Sequence, residues 1–304
     1  MYGLKQAQRE SFVSPAGMAT LHDAIAPIVG GDFVLREHEN QGLTTVVYSC
    51  DTPQASFIVR RGNNMNAFQN DAFAARHAGG DNLPVPSVKG IVSLEDSAAC
   101  VTARAPGVPA QDDLLFRPGH PLNASLQRAL TTMHTARIPA EAAAGHSFGT
   151  VKYHPATAMY AKAKPEAARR LDNATLEEVA SLQKHLSGTC LPQLARLCHN
   201  DLKGDNIIAE HDRITGVIDW AMAQLGDPAS DLGRLYVSHP AAFDLSEYGA
   251  AIGSEPNFRQ RALYYAMGAC VGSVRFFGSL GDQAEVAKAE DRLIELASEA
   301  EKAA

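Results

Sequence analysis

Residues 198–231 read CHNDLKGDNIIAEHDRITGVIDWAMAQLGDPASD, and their spacing governs the reading of the whole chain. His199, Asp201 and Asn206 stand as H-x-D-x-x-x-x-N, the spacing of a phosphoryl-transfer catalytic loop. In such a loop one carboxylate faces the attacking hydroxyl, while a carboxamide and a second carboxylate hold magnesium. The second carboxylate is expected on a nearby strand, and Val217-Ile218-Asp219-Trp220 supplies it. Asp201 is therefore the candidate base, and Asn206 and Asp219 are the candidate oxygen ligands, the hard donors that magnesium prefers. Lys203, two residues after Asp201, is placed to meet the transferring phosphate. HNDLKGDN alone would also pass for a solvated turn, since Asp, Asn and Gly are turn formers. The apolar strand running into Asp219 favours the catalytic reading. His199 suits a structural hydrogen-bonding role, His134 a satisfied core position, and Trp220, the only tryptophan, packing beneath the metal site.

The bulk composition fits a soluble globular protein. The chain has 304 residues, 45% apolar and 20% charged, enough for two modest domains or one large one. Acids outnumber bases by 34 to 27 and no Lys/Arg-rich run occurs, so a nucleic-acid footprint is missing. Five cysteines (Cys50, Cys100, Cys190, Cys198, Cys270) without CxxC spacing point to reduced thiols in a cytoplasmic protein. MYGLKQAQRESFV lacks the pattern of a signal peptide. The longest nearly apolar run, 262–274, is shorter than the roughly 18 residues of a membrane span and reads as a buried helix.

Along the chain, Thr45–Tyr48 and Phe57–Arg60 are β-rich, and Asp51-Thr52-Pro53-Gln54 between them predicts a hairpin. A helix over about 66–77 stops before Gly79-Gly80, and Leu83-Pro84-Val85-Pro86 is an extended connector. A strand over 99–103 runs into Arg104-Ala105-Pro106-Gly107, a hinge. Beyond it the pattern turns helical. Pro121 opens a helix with Leu122, Leu126, Leu130 and Met133 on one face. Thr175 and Glu178 form a capping box. Residues 206–210 and 214–219 read as strands joined at His211-Asp212, Asp227-Pro228 starts a helix, and two more helices cover about 256–278 and 283–302. Residues 139–165 read as a loop lining the substrate side. The N-terminal part should bring a cation to nucleotide phosphates; Arg60, ending an apolar strand, is the candidate, with Asp71 as partner, though residue types alone leave a surface pair or no pair equally open. Gly42 stands alone between Glu37 and Thr45, a poor phosphate-covering pattern. P-loop, dinucleotide, G-x-S-x-G, H-E-x-x-H and zinc-spaced patterns are absent.

Through HNDLKGDNII and ITGVIDWAMAQLGDPASDL the chain resembles the aminoglycoside phosphotransferase family from about residue 35 onward. LPVPSV, TARAPGVPAQD and FIVRRG make it most similar in look to the hygromycin B phosphotransferase type. The resemblance implies an α+β, bilobal, protein-kinase-like fold with a small antiparallel-sheet lobe and a larger, mainly helical one. Residues 1–103 would form the nucleotide-binding lobe, and 104–304 the lobe with catalytic loop, metal site and acceptor pocket. It implies ATP or GTP between the lobes, with Thr102, Ala103, Arg104 and Ala105 along the adenine edge, and Mg2+ on Asn206 and Asp219. Asp201 is then the base, Arg60 the phosphate-contacting cation and Asp71 its ion-pairing carboxylate. Asp227 and Asp231, in the GDPxxD pattern, brace the catalytic segment. Three positions depart from the commoner pattern: arginine at 60 for lysine, aspartate at 71 for glutamate, and Leu-Lys-Gly-Asp after Asp201 for His-Pro-Gly. Eleven residues between Asp219 and Asp231 leave no room for an activation segment, which argues against a protein substrate.

The expected function is transfer of the γ-phosphate of ATP or GTP to a hydroxyl of an aminoglycoside-like antibiotic, conferring resistance. Ten acids against six bases after residue 238 would suit a cationic acceptor. An alternative keeps the chemistry with another acceptor: a macrolide, another antibiotic, an amino alcohol or a sugar metabolite. A non-catalytic nucleotide-binding protein is the third reading, disfavoured by the intact Asp201, Asn206 and Asp219 set. No membrane or nucleic-acid partner is expected, and the chain is read as a monomer or weak dimer.

Overall fold

A computed structural model describes residues 4–39, 41–42, 44–148, 171, 173–190, 196–254 and 257–303, with the backbone alone at 173–175, 186–190 and 303. The chain divides into two compact units, and neither is one continuous stretch. The first comprises Met1–Ala110, Ile138–Phe148 and Asp205–Met222; the second Gln111–Arg137, Gly149–Gly204 and Ala223–Ala304. One division falls between Gly204 and Asp205, inside the H-x-D-x-x-x-x-N loop.

The first unit is built on a five-stranded antiparallel sheet in the order β1-β2-β3-β5-β4. Its strands are β1 Val34–Glu37, β2 Thr45–Asp51, β3 Ser56–Gly62, β4 Val88–Ser93 and β5 Ala98–Ala103. The predicted hairpin is β2–β3, closed by Thr52, whose N–H and hydroxyl both reach the Ala55 carbonyl. Alternation along β2 sends Val46, Tyr48 and Cys50 into the core, as the period of two requires. They meet Phe12, Leu21 and Ile25 from two helices that occupy residues unassigned from sequence, α1 Gln6–Val13 and α2 Pro15–Val29. Ser14 starts α2 by accepting the Gly17 N–H at 3.1 Å, with Pro15 in the first turn. The same period places the neighbours Arg60 and Arg61 on opposite faces of β3. Arg61, 4% exposed, lies over the Phe12 ring and donates to Gly17 O, Ser97 Oγ and Asp96 Oδ1. Arg60 points to the other side, toward α3 Met65–His77, which Asn64 caps by accepting the Ala67 N–H at 3.2 Å. A short strand β6 Val108–Pro109 pairs with the hairpin β8 Ile207–Glu210 and β9 Arg213–Val217, whose turn puts His211 in the left-handed region. The second strand was expected to continue to Asp219 but stops at Val217. The short helix α6 Ala140–Ala144 completes this unit, and the rest of the expected substrate-side loop, 149–165, lies outside the described residues.

The second unit is mainly helical: α4 Asp112–Leu115, α5 Pro121–Thr135, α7 Asn173–Cys190, α8 Ala229–Ser238, α9 Leu245–Ala251, α10 Phe258–Leu280 and α11 Gln283–Ala303. One antiparallel pair, β7 Arg196–Cys198 with β10 Gln224–Gly226, accompanies them. The run 262–274 is the buried middle of α10, where Leu263, Met267, Cys270 and Val271 pack on Val286, Leu293 and Leu296 of α11. Among the described residues no helix is long and apolar enough to cross a membrane. Helix α7 begins two residues before Thr175, so Thr175 lies within its first turn rather than at the expected cap. α8 and α10 approach so closely that a Cβ on Gly233 would stand 2.4 Å from the Ala262 carbonyl oxygen, and only glycine fits there. At the start of α8, Asp227 accepts the Ala229 N–H at 3.1 Å and an Arg261 Nε–H bond at 2.9 Å. Arg261 also donates to Ser254 O and Oγ at 2.8 and 2.7 Å. The two side chains are 2% and 3% exposed, and burial pushes the Asp227 carboxyl above its ordinary range against the pull of Arg261.

Truncating one partner of such a pair strands the other charge in the interior. Arg261→Ala should lower unfolding free energy by about 3–5 kcal/mol, whereas Asp227→Leu with Arg261→Met should lose clearly less. Urea midpoints at constant slope measure both, and equal losses would contradict the assignment.

Candidate active site

Within the second unit, the loop after β7 is held by its backbone. Asp231, 1% exposed on α8, accepts the His199 N–H on Oδ2 at 2.9 Å and the Asn200 N–H on Oδ1 at 2.5 Å. His134 Nε2 lies 2.9 Å from the same Oδ2, and its Nδ1 lies 2.8 Å from the Tyr248 hydroxyl. Burial alone would raise the Asp231 carboxyl; the bond to His134 and its charge, with the Asn200 N–H, bring it below its ordinary value. Asn200 takes a left-handed backbone, φ 64°, a conformation asparagine tolerates better than most residues. The fully buried His199 accepts the Asp201 N–H on Nδ1 at 3.2 Å, so that lone pair serves the backbone and the ring is structural. Asp112 Oδ1 accepts the Gly204 N–H at 2.7 Å. With the backbone thus fixed at 199, 200, 201 and 204, the Asp201 and Lys203 side chains remain 39% and 51% exposed, Nζ standing 3.8 Å from Oδ2.

His134, Cys198 and Asp231 also place possible metal-ligand atoms within 4.8 Å of one another. Both ring nitrogens of His134 are already engaged and all three residues are buried, so the group works as a brace.

The first unit assembles the other candidates. Arg60 of β3 forms an ion pair and hydrogen bond with Asp71 of α3; the side chains are 16% and 7% exposed. Arg60 Nη1 lies 3.8 Å from Asp219 Oδ1. Burial works against the Arg60 charge, but chiefly the Asp71 carboxylate holds its pKa above the ordinary value. Burial pushes the Asp71 carboxyl up as well, opposed by Arg60 and by the Trp220 N–H, which Asp71 Oδ1 accepts at 3.1 Å. The β8–β9 pairing extends by one bond, Ile218 N–H to the Asn206 carbonyl at 3.0 Å. Asn206, 6% exposed, and Asp219 therefore share one end of that hairpin. Asp219 leaves it with φ 62°, which turns the chain into the short helix Trp220–Met222. Trp220 is fully buried and donates from Nε1 to the Val217 carbonyl at 3.0 Å, consistent with packing and not with ligand stacking.

The proposed adenine edge is partly committed to the sheet. The Thr102 hydroxyl donates to the Ile58 carbonyl at 3.3 Å, and the Ala103 and Arg104 N–H groups donate to the Ser87 and Ser56 carbonyls at 2.9 and 3.1 Å. Neither N–H is left for a purine.

So Asp201 and Lys203 are presented in the second unit, and Arg60, Asp71, Asn206 and Asp219 gather in the first. Asp112, Tyr248 and Asn70 were missed from sequence. Each acts on a segment 92 or more residues away, with no local spacing to mark it.

The sequence pattern of the phosphotransferase enzyme family (APH) matches residues 40–264. The hygromycin-B 4-O-kinase of Escherichia coli is 25% identical over 224 residues, covering 66% of this chain and 61% of the relative. The viomycin phosphotransferase of Streptomyces vinaceus is 27% identical over 176 residues, covering 53% and 57%. The chain thus spans less than two thirds of the length of either. Among solved structures, a thermostable mutant of aminoglycoside phosphotransferase APH(4)-Ia in ternary complex with ADP and hygromycin B superposes with a TM-score of 0.65 at 18% identity, over 90% of this chain and 96% of that one. The shared fold carries the small antiparallel sheet and the helical part expected from sequence, and the family pattern covers most of the chain, including every residue of the catalytic-loop spacing: the chain belongs to the phosphotransferase enzyme family.

Proposed function

We propose that this chain transfers the γ-phosphate of ATP or GTP to a hydroxyl of an aminoglycoside-like antibiotic and so confers resistance. The observation that carries the reading is the braced loop: its backbone is tied to Asp231, His199 and Asp112 while Asp201 and Lys203 stay accessible. Similarity to the hygromycin-B and viomycin enzymes supports the class of acceptor. In this reading residues 1–103 bind nucleotide and residues 104–304 carry the loop and the acceptor pocket. Asp201 orients the acceptor hydroxyl and takes its proton, and Lys203 meets the phosphoryl oxygens. Arg60, steadied by Asp71, contacts the nucleotide phosphates, and the Thr102–Ala105 segment borders the adenine. Asn206 and Asp219 would hold a magnesium ion, which compensates phosphate charge when bound; an amide and a carboxylate at one hairpin end are oxygen donors that fit it. The buried free thiols Cys50, Cys100, Cys198 and Cys270 support a cytoplasmic setting, and a monomer or weak dimer suffices for the chemistry. Another antibiotic as acceptor has the viomycin relative in its favour.

Nucleotide consumption with hygromycin B, other aminoglycosides, viomycin, macrolides and amino alcohols tests the acceptor; turnover is expected with a cationic antibiotic, and none with any acceptor contradicts the function. Asp201→Ala and Asp219→Ala should fail differently. Removing the base should lower kcat by about 10²–10⁴-fold while the thermal shift given by magnesium and a non-hydrolysable ATP analogue persists. Asp219→Ala should lose that shift. Near-full activity in Asp201→Ala would remove it as the base.

A further inference from the structure

The turn that bears Asp219 is gripped from α3 by two consecutive side chains. Asp71 Oδ1 accepts the Trp220 N–H at 3.1 Å, and Asn70 Nδ2 donates to the Ala221 carbonyl at 3.4 Å. Asn70 is 2% exposed, and its other amide atom, Oδ1, lies 2.8 Å from His146 Nε2. These three groups fix one another's orientation. If the Asn70 amide were reversed, Oδ1 would face the Ala221 carbonyl oxygen, acceptor against acceptor. Oδ1 must then face His146, and Nε2 must carry the proton it donates. The imidazole is itself held in place by rings: its centroid lies 4.5 Å from that of Phe73 on α3 and 4.3 Å from that of Phe148. The segment following α6 thereby reaches the turn that carries Asp219 through one buried amide.

We propose that His146 is a positioning residue for phosphoryl transfer, latching the Asp219–Met222 turn through Asn70. The consequence for activity rests on the phosphotransferase reading; the latch itself does not. The Trp220 N–H that Asp71 holds belongs to the peptide joining Asp219 to Trp220. The Ala221 carbonyl that Asn70 holds belongs to the peptide joining Ala221 to Met222, so the two bonds pin the turn on both sides of the Trp220–Ala221 peptide, and His146 fixes the orientation of the Asn70 amide. Together they hold a left-handed Asp219 at the angle from which its carboxylate meets Arg60.

Trp220 is the only tryptophan, so its fluorescence reports on this turn without interference. The test uses the full chain without nucleotide or metal, comparing His146→Leu, His146→Gln and Asn70→Ala. Loss of one such hydrogen bond shifts a local opening equilibrium about fivefold. Hydrogen exchange in peptides covering residues 218–222 should therefore quicken about fivefold in His146→Leu and in Asn70→Ala, with Trp220 more open to acrylamide. His146→Gln, whose amide nitrogen can replace the Nε2 donor, should behave as the parent. Melting temperature should fall by no more than a few degrees, and exchange in the five-stranded sheet should quicken less than at 218–222. For activity, kcat should fall in the Leu variant with nucleotide KM at saturating magnesium unaltered, and recover in the Gln variant. Unchanged exchange at 218–222, or loosening spread equally through the sheet, overturns the latch. If His146→Leu does not fold, Asn70→Ala decides by the same readings. Absence of turnover with every acceptor would defeat the functional reading alone, leaving the exchange result to judge the latch.

Discussion

A single buried carboxylate organises the candidate catalytic segment. Asp231 has no exposure worth the name, yet it is kept below its ordinary pKa because His134 and two successive backbone N–H groups converge on it. Its desolvation cost is offset only while that geometry holds. The left-handed turn at Asn200, the His199 ring beneath Asp201 and the outward aim of Asp201 and Lys203 all follow from the same anchorage. A loop rich in Asp, Asn and Gly has no conformational preference strong enough to hold itself; the rigidity is imported from α5 and α8, elements stabilised by apolar packing. Preorganisation of this sort matters most for phosphoryl transfer, where positioning and charge compensation are nearly all the protein contributes.

The first unit solves its own charge problem by strand alternation. Consecutive arginines on β3 point to opposite faces, and each finds a different answer. Arg61 is absorbed into structure, stacked on Phe12 and paired with Asp96. Arg60 is paired with Asp71 but still lies 3.8 Å from Asp219, with part of its surface open. The fixed cation and the carboxylate of the turn are thus joined to one strand, one helix and one hairpin end. Arginine's planar fork suits this arrangement, because it can serve Asp71 and still offer a second edge.

Where information was local, the sequence was legible. The β2–β3 hairpin, α3, the buried α10 and the β8–β9 hairpin announced themselves through alternation, turn residues and helical spacing. So did the strand toward Asp219, although it ends at Val217. What escaped notice was non-local or weakly patterned. The Ser14-Pro15 start of α2 is a plain cap signal, but α2 carries too many small residues, and α1 too many polar ones, to show a clear apolar face. Asp112 and Asn70 look like ordinary surface polar residues until the fold brings a backbone group from far along the chain to each. Thr175 shows the opposite error, since a good capping pair lay just inside a helix that begins earlier.

The described cysteines have a consequence for the protein's durability. Burial pushes the thiol of Cys50 up to about 11 and those of Cys100 and Cys270 up to about 12, with Cys198 raised further. At neutral pH even the most acidic of them is thiolate in only about one molecule in ten thousand, and none of the four presents its sulfur to solvent. Alkylating drugs and peroxide therefore find little to react with at these positions while the chain is folded. Chemical damage there becomes a measure of how often the core opens.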